Sequence, residues 1–287
     1  MKRILLGILF SVLALGILVA GGDWYWLSKR FVKPDQIDKS QKPVIIAHRG
    51  ASGVAPENTM AAIQKALEAK ADWIEIDIYP TRDEALVLMH DKTVDRTTNG
   101  KGLITDLTLY EVKKLDAGSW FDKSYRGEQI PTLGEVLLFV KGRAKLLIEV
   151  KKGGNGLEKN LIKLIQKYKA TDWCIVQSFD PAVVREVKRL APEIPVHQLV
   201  VGNLTLLPLH YTTSLQTGRI TQYDQVEAIN PNMWFATAGL VAQLHARKQK
   251  VHVWTVNNLQ EIPTLVAMGV DGIITNYPAE ARSFLPQ

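Results

Sequence analysis

The sequence predicts an α/β chain folded as a (β/α)8 barrel, and three observations predict it. From residue 44 onward, short β-branched runs alternate with amphipathic stretches, the alternation expected of a parallel sheet covered by helices. Eight strand-and-helix units can be counted, over about 245 residues, an ordinary length for such a barrel. Polar and ionisable residues also recur at the ends of several of these strands, where apolar side chains would otherwise fill a barrel layer.

The elements follow in order. Val44–Ala47 reads as the first strand, and Glu57–Lys70 as a helix capped among Glu57, Asn58 and Thr59. Trp73–Ile78 is the second strand. Leu86–Met89 lies too close behind it for a parallel crossover, so it must turn back as a hairpin. With Asp83 and Glu84 as a two-residue loop, Thr81 would face Leu86, Tyr79 would face Leu88 and Asp77 would face His90. Residues from about 91 to 131 then form an insertion over the barrel mouth. Leu133–Val140 is helical, and Lys145–Val150 and Cys174–Gln177 are strands followed by helices over Leu157–Tyr168 and Ala182–Leu190. Val196–Val201 and Ala228–Asn230 are strands with a long irregular stretch between them. Helices over Ala238–Lys248, Ile262–Met268 and Ala279–Phe284 alternate with strands at Val251–Val256 and Gly272–Thr275.

The N-terminus is of a different kind. Ile4 to Gly22 carries no charge and is just long enough, as a helix, to cross a hydrocarbon core. Trp24, Tyr25 and Trp26 follow at once, suiting a lipid–water boundary. The expectation is one uncleaved transmembrane helix: residues 1–32 as anchor and juxtamembrane segment, 33–42 as linker, 43–287 as the barrel. A cleaved signal peptide, with small residues near Ala20 and Gly21, is the competing reading. Orientation signals conflict. More Lys and Arg follow the segment than precede it, favouring a cytoplasmic catalytic domain, whereas the short basic N-terminus resembles an export signal; export is the expectation. The net charge of +6 owes much to that region, and no basic stripe with interleaved aromatics argues for nucleic acid. Cys174 is the only cysteine, which excludes an intrachain disulfide and a cysteine metal cluster.

The strand ends carry the chemistry. His48, Arg49 and Gly50 end the first strand; Glu75 and Asp77 share one face of the second; Glu149 and Lys151 repeat that spacing on the third. Three carboxylates at one point raise one another's pKa unless a cation offsets them. Oxygen ligands without cysteine point to a hard dication, Mg²⁺ or Ca²⁺. The structural alternative pairs Glu75 with a rim cation and Glu149 with Lys151.

The ordered runs Ala47-His48-Arg49-Gly50, Pro56-Glu57-Asn58-Thr59, Ile74-Glu75-Ile76-Asp77 and His90-Asp91 resemble the glycerophosphodiester phosphodiesterase family. So do Arg96-Thr97-Thr98, the run from Leu115 to Phe121, Ile130-Pro131-Thr132-Leu133, Ile148-Glu149-Val150-Lys151, Trp254-Thr255-Val256-Asn257 and the run from Gly269 to Thr275. The likeness spans about residue 44 to the C-terminus and is weakest between 202 and 230. It implies a TIM-type barrel with a small inserted subdomain, a divalent metal on Glu75, Asp77 and Glu149, His48 and His90 as general acid and base, and Arg49 and Lys151 on the phosphate. It further implies attack by the neighbouring glycerol hydroxyl through a cyclic phosphate, a route the sequence does not separate from direct attack by water. A phosphodiester gathers negative charge on its non-bridging oxygens in the transition state, and a dication with Arg and Lys would offset it.

The reaction implied is hydrolysis of a glycerophosphodiester to sn-glycerol 3-phosphate and an alcohol. Two rivals stand beside it: lysophospholipase D activity on lysophospholipids, with the apolar stretch Leu204–Leu209 receiving an acyl chain, and a catalytically silent barrel used for binding. Trp254 is either an apolar wall for the glycerol or a core residue. Asp91 either orients His90 or ends its strand. Glu57 and Asn58 either support the site or cap a helix. His252 is expected inside the barrel, and His197, His210 and His245 in structural or surface positions. Three departures from the family pattern stand out: Asp83-Glu84 in the hairpin loop, Lys70 before the second strand, and Asn276 where Asp is frequent. None is expected to touch a catalytic group.

Overall fold

A computed structural model describes residues 42–201 and 223–286. The expected anchor, most of the linker, the Leu204–Leu209 stretch and His210 lie outside the described residues. Among the described residues, no helix is long and apolar enough to cross a membrane.

Eight parallel strands close on themselves. In ring order they are β1 (Val44–Ala47), β2 (Trp73–Pro80), β4 (Lys145–Val150), β5 (Cys174–Ser178), β6 (Val196–Val200), β7 (Ala228–Pro231), β8 (Lys250–Val253) and β9 (Gly272–Thr275), and β9 returns to β1. Closure sets Ala47 beside Thr275 and Asp77 beside Glu149. The helices described are α1 (Met60–Glu68), α2 (Leu109–Val112), α3 (Leu133–Val140), α4 (Leu157–Lys167), α5 (Pro181–Leu190), α6 (Ala238–His245), α7 (Ile262–Ala267) and α8 (Pro278–Ala281).

The two-residue period of the strands sorts their side chains into two cores. Ile74, Ile76 and Ile78 of β2 and Leu146, Ile148 and Val150 of β4 face outward, packing with Ile63 and Ala66 of α1 and Leu161 and Ile165 of α4. Inside the barrel a smaller apolar layer holds Ile46, Trp73, Leu147, Ile175 and Ile274. That alternation leaves Glu75, Asp77 and Glu149 on the inner face above it. His197 and His252, also buried, stack at 4.9 Å, and His252 faces Asn230 Oδ1 at 3.1 Å. The expected interior place of His252 is met, and both histidines are absorbed by the core.

β3 (Leu86–Leu88) runs antiparallel to β2, as expected, but one residue out of the expected register: Ile78 faces Leu88 and Pro80 faces Leu86. Thr81 N–H donates to Ala85 O and Glu84 N–H to Thr81 O, so the loop is Arg82, Asp83 and Glu84, with Glu84 left-handed at φ 63°. The third loop residue takes up the twist that a two-residue turn would have needed two positive-φ residues to supply. Residues 91–131 pack a small core of their own: Val94, Ile104, Val112, Ala117 and Ile130 gather with Tyr79, Val87 and Met89.

α1 is shorter than expected because Thr59 is its cap, accepting from Ala62 N–H at 3.3 Å. Asn58, released from capping, turns into the barrel. Strand β8 ends at Val253 rather than 256, placing Trp254 on the loop that follows.

Candidate active site

Glu75 and Asp77 lie within β2 and Glu149 near the end of β4, His48 and Arg49 follow β1, Lys151 follows β4, Trp254 follows β8, and His90 lies between β3 and the insertion. One oxygen from each of Glu75, Asp77 and Glu149 lies within 4.8 Å of the others, and all three residues are buried. The residue type is what makes this costly. Burial raises the Glu75 carboxyl well above its ordinary value, and the Asp77 and Glu149 charges push it the same way. Glu149 is raised to about 7 by burial and then by Asp77, despite Lys151. Burial also opposes ionisation of Asp77, but Lys151 and Arg49 outweigh it and bring its carboxyl down to about 2.

The cations are close. Lys151 Nζ lies 2.6 Å from Glu149 Oε1 and 3.5 Å from Asp77 Oδ1. Arg49 Nε lies 3.4 Å from Asp77 Oδ2, while the Arg49 backbone N–H donates to Glu75 Oε2 at 2.9 Å. The expected alternative, Glu149 paired with Lys151, is therefore present, but within the carboxylate cluster rather than instead of it. Asn58 holds Asp77 on its other side, its Nδ2 donating to Oδ2 at 2.7 Å and its Oδ1 accepting from the Asp77 N–H at 3.1 Å. Asp77 Oδ1 and Arg49 Nε are nevertheless buried without a hydrogen-bond partner. A buried carboxylate oxygen left unmatched costs free energy unless a ligand meets it. Three clustered carboxylates, one of them with an unmatched oxygen and two raised first by burial and then by neighbouring negative charge, fit a divalent cation.

Arg49 can reach this position because its backbone is left-handed, at φ 56°, followed by Gly50 at φ 79°. A Cβ on Gly50 would come within 2.6 Å of the Ala62 backbone, so only glycine lets the β1 end press against α1.

The two imidazoles are oriented from behind. His48 Nδ1 donates to Asn276 Oδ1 at 2.7 Å, and His90 Nδ1 to Asp91 Oδ1 at 2.6 Å. Each histidine thus keeps Nε2 unengaged by that bond and available to a reacting group. Burial lowers the His48 pKa to about 4, with Arg49 adding to the effect. Burial likewise lowers that of His90, against the pull of Asp77. The question of Asp91 is resolved in favour of orienting His90. The expectation that Asn276 touches no catalytic candidate is corrected. Barrel closure sets β9 beside β1, and the residue after β9 meets the residue after β1.

Trp254 is half-buried. Its Nε1–H donates to Asn230 O at 2.7 Å, and its ring stands edge-on to Phe179 at 5.5 Å. Asn58 takes the supporting role that the sequence left open beside capping, whereas Phe179, the contact of Asn276 with His48 and the bond from Arg96 Nε to Asp91 Oδ2 at 2.6 Å were not foreseen. Phe179 directly follows β5, so the strand-end rule that found the others could have found it.

The profile of the Glycerophosphoryl diester phosphodiesterase family matches residues 48–280. The chain belongs to this family. Similar members include a glycerophosphodiester phosphodiesterase of Caldanaerobacter subterraneus, 39% identical over 241 residues covering 83% of this chain and 95% of that protein. One from Bacillus subtilis is 36% identical, covering 86% of each. Among solved structures, a phosphodiesterase of Oleispira antarctica in complex with the product sn-glycerol-3-phosphate superposes with a TM-score of 0.74 at 30% identity, over 86% of this chain and 98% of that one. A glycerophosphodiester phosphodiesterase of Agrobacterium tumefaciens gives 0.70 at 26%, over 84% and 99%. The family match thus runs from the residue after β1 into α8.

Proposed function

We propose that this chain is a metal-dependent phosphodiesterase that hydrolyses glycerophosphodiesters to sn-glycerol 3-phosphate and an alcohol. The observation that carries the reading is the three buried carboxylates of Glu75, Asp77 and Glu149 with two backed imidazoles beside them. Glu75, Asp77 and Glu149 would hold Mg²⁺ or Ca²⁺, which when bound supplies positive charge to the non-bridging phosphate oxygens. Arg49 and Lys151 bind the same phosphate, Arg49 with the Nε that has no hydrogen-bond partner. His48 and His90 each present Nε2. One removes the proton of the attacking group and the other protonates the leaving alkoxide; the attacking group is either water, giving the product directly, or the neighbouring glycerol hydroxyl, giving a cyclic phosphate that water then opens. Trp254, with Phe179 against it, forms an apolar wall beside the glycerol.

The silent-barrel reading predicts a missing histidine or acidic ligand, and every such residue is present in the sequence. Membrane attachment through Ile4–Gly22, with the catalytic domain exported, is part of the proposal. Its support is the uncharged run and the Trp24-Tyr25-Trp26 cluster. Protease protection of the full chain in membranes tests the topology.

The deciding experiment is turnover of glycerophosphocholine and lysophosphatidylcholine in parallel, before and after EDTA. Glycerophosphocholine should be the better substrate, with activity lost on chelation and restored by Mg²⁺ or Ca²⁺. Persistence after exhaustive chelation would remove the metal from the reaction, and faster turnover of the lysolipid would replace the substrate.

A further inference from the structure

Arg49 and His90, which flank the proposed phosphate position, come from different parts of the chain: the end of β1 and the start of the insertion. A single side chain touches the partners of both. Arg96 Nη1 and Nη2 donate to the two oxygens of Glu57 at 2.9 and 2.8 Å, and its Nε donates to Asp91 Oδ2 at 2.6 Å. Glu57 Oε1 also accepts from Arg49 Nη1 at 2.9 Å, and the second oxygen of Asp91 holds His90. We infer that Arg96 is a positioning residue for the phosphodiester reaction, fixing His90 and Arg49 in one frame through the carboxylates of Asp91 and Glu57. The inference rests on the proposed reaction and adds to it a residue that touches no reacting group.

The chemistry of the side chain favours this role over that of a surface ion pair. A planar fork bonded to both oxygens of one carboxylate, with the remaining N–H on another, sets the plane of all three groups. An ordinary exposed pair sets none and contributes little. The charges also balance, two guanidiniums against two carboxylates. Arg96 is the first cause of the Asp91 carboxyl lying down at about 2, ahead of its bond to His90. The charged groups facing His90 are Asp91 beside it, Asp77 on β2, Arg49 after β1 and Lys151 after β4. Arg96 acts on it through Asp91. Without the guanidinium, the Asp91 charge would act on His90 unopposed and favour the imidazolium. Glu57 would then have Arg49 as its only guanidinium partner, pulling it from the phosphate, and Asp91 could rotate about its own side-chain bonds.

The test compares the full chain with Arg96→Gln and Arg96→Lys. The readouts are kcat and KM for glycerophosphocholine across pH, the NMR titration of His90 (assigned by its loss in His90→Gln), and the affinity for sn-glycerol 3-phosphate. Arg96→Gln should lose about 100-fold in kcat/KM, chiefly in kcat, the scale of a misplacement of about 1 Å. His90 should titrate at higher pH in that variant. Arg96→Lys should keep the wild-type titration and recover only part of the rate, because one ammonium cannot span both carboxylates. Activity of Arg96→Gln within about threefold of wild type, with an unmoved His90 titration, would overturn the inference. So would a lowered melting temperature alone, which would make Arg96 a clamp for the insertion. If the wild type turned over no glycerophosphodiester, the reaction would be the part that fails. The His90 titration and product affinity would still judge Arg96.

Discussion

Replacing Glu149 by glutamine should make the metal-free protein more stable at neutral and alkaline pH while removing one of the three clustered carboxylates. The Glu149 carboxyl is raised from 4.5 to about 7, by burial first and the Asp77 charge second. Its ionisation therefore opposes folding. The penalty is absent below about 4.5, grows as the pH rises from there, and is complete above about 7. A rise of about 2.5 at about 1.36 kcal/mol per pH unit amounts to about 3 kcal/mol. Glutamine keeps the shape of the side chain and carries no charge. It gives up the 2.6 Å pairing with Lys151, but that attraction already acts on Glu149 and does not reverse the direction of the shift. Urea unfolding of both proteins in EDTA, from about pH 5 to about pH 8, measures the difference. The two should be similar at the acid end and diverge with pH, glutamine leading by up to about 3 kcal/mol. Adding Mg²⁺ or Ca²⁺ should reverse the order, because only the wild type gains the full binding free energy. A difference that does not change with pH, or a wild type that neither ion stabilises, would refute the account of a repulsive cluster built for a cation.

Asn276→Asp sets a carboxylate against His48 Nδ1, now 2.7 Å from a neutral oxygen. A carboxylate favours the imidazolium, so the limb of the pH–rate profile that belongs to His48 should move up by roughly 1 to 3 pH units. An unmoved profile would show that Asn276 has no electrostatic hold on that ring. Glu84→Gly removes the left-handed strain of a non-glycine residue at φ 63°. It should raise stability by about 1 kcal/mol in urea unfolding without changing turnover. A loss of stability would mean that the exposed Glu84 side chain contributes more than its backbone costs.

The elements that could be read in the sequence are those whose side chains repeat with the period of the backbone. β2 and β4 announce themselves by isoleucine and leucine on one face and Glu75, Asp77 and Glu149 on the other, because a strand has a period of two and a barrel has an inside and an outside. The His48, Arg49 and Lys151 candidates follow from the same reasoning, since strand ends are where this fold leaves polar groups. The hairpin was read as a hairpin but given the wrong register. Its loop length depends on whether Glu84 adopts a left-handed backbone, and a glutamate does not advertise that it will. Helix α1 was overextended for a related reason: Asn58 and Thr59 are both capping residues by type, and only the packing decides that Thr59 caps while Asn58 turns to Asp77.

Local sequence therefore determined the strand alternation, the inward carboxylates and the family to which the chain belongs, because each depends on residues near one another along the backbone. Tertiary structure alone decided which groups support them. Asn276 meets His48 across 228 residues, and Arg96 meets Glu57 across 39. The first contact depends on closing a ring whose last strand pairs with its first, the second on the insertion meeting the segment after β1, and no periodicity in one segment carries the position of another.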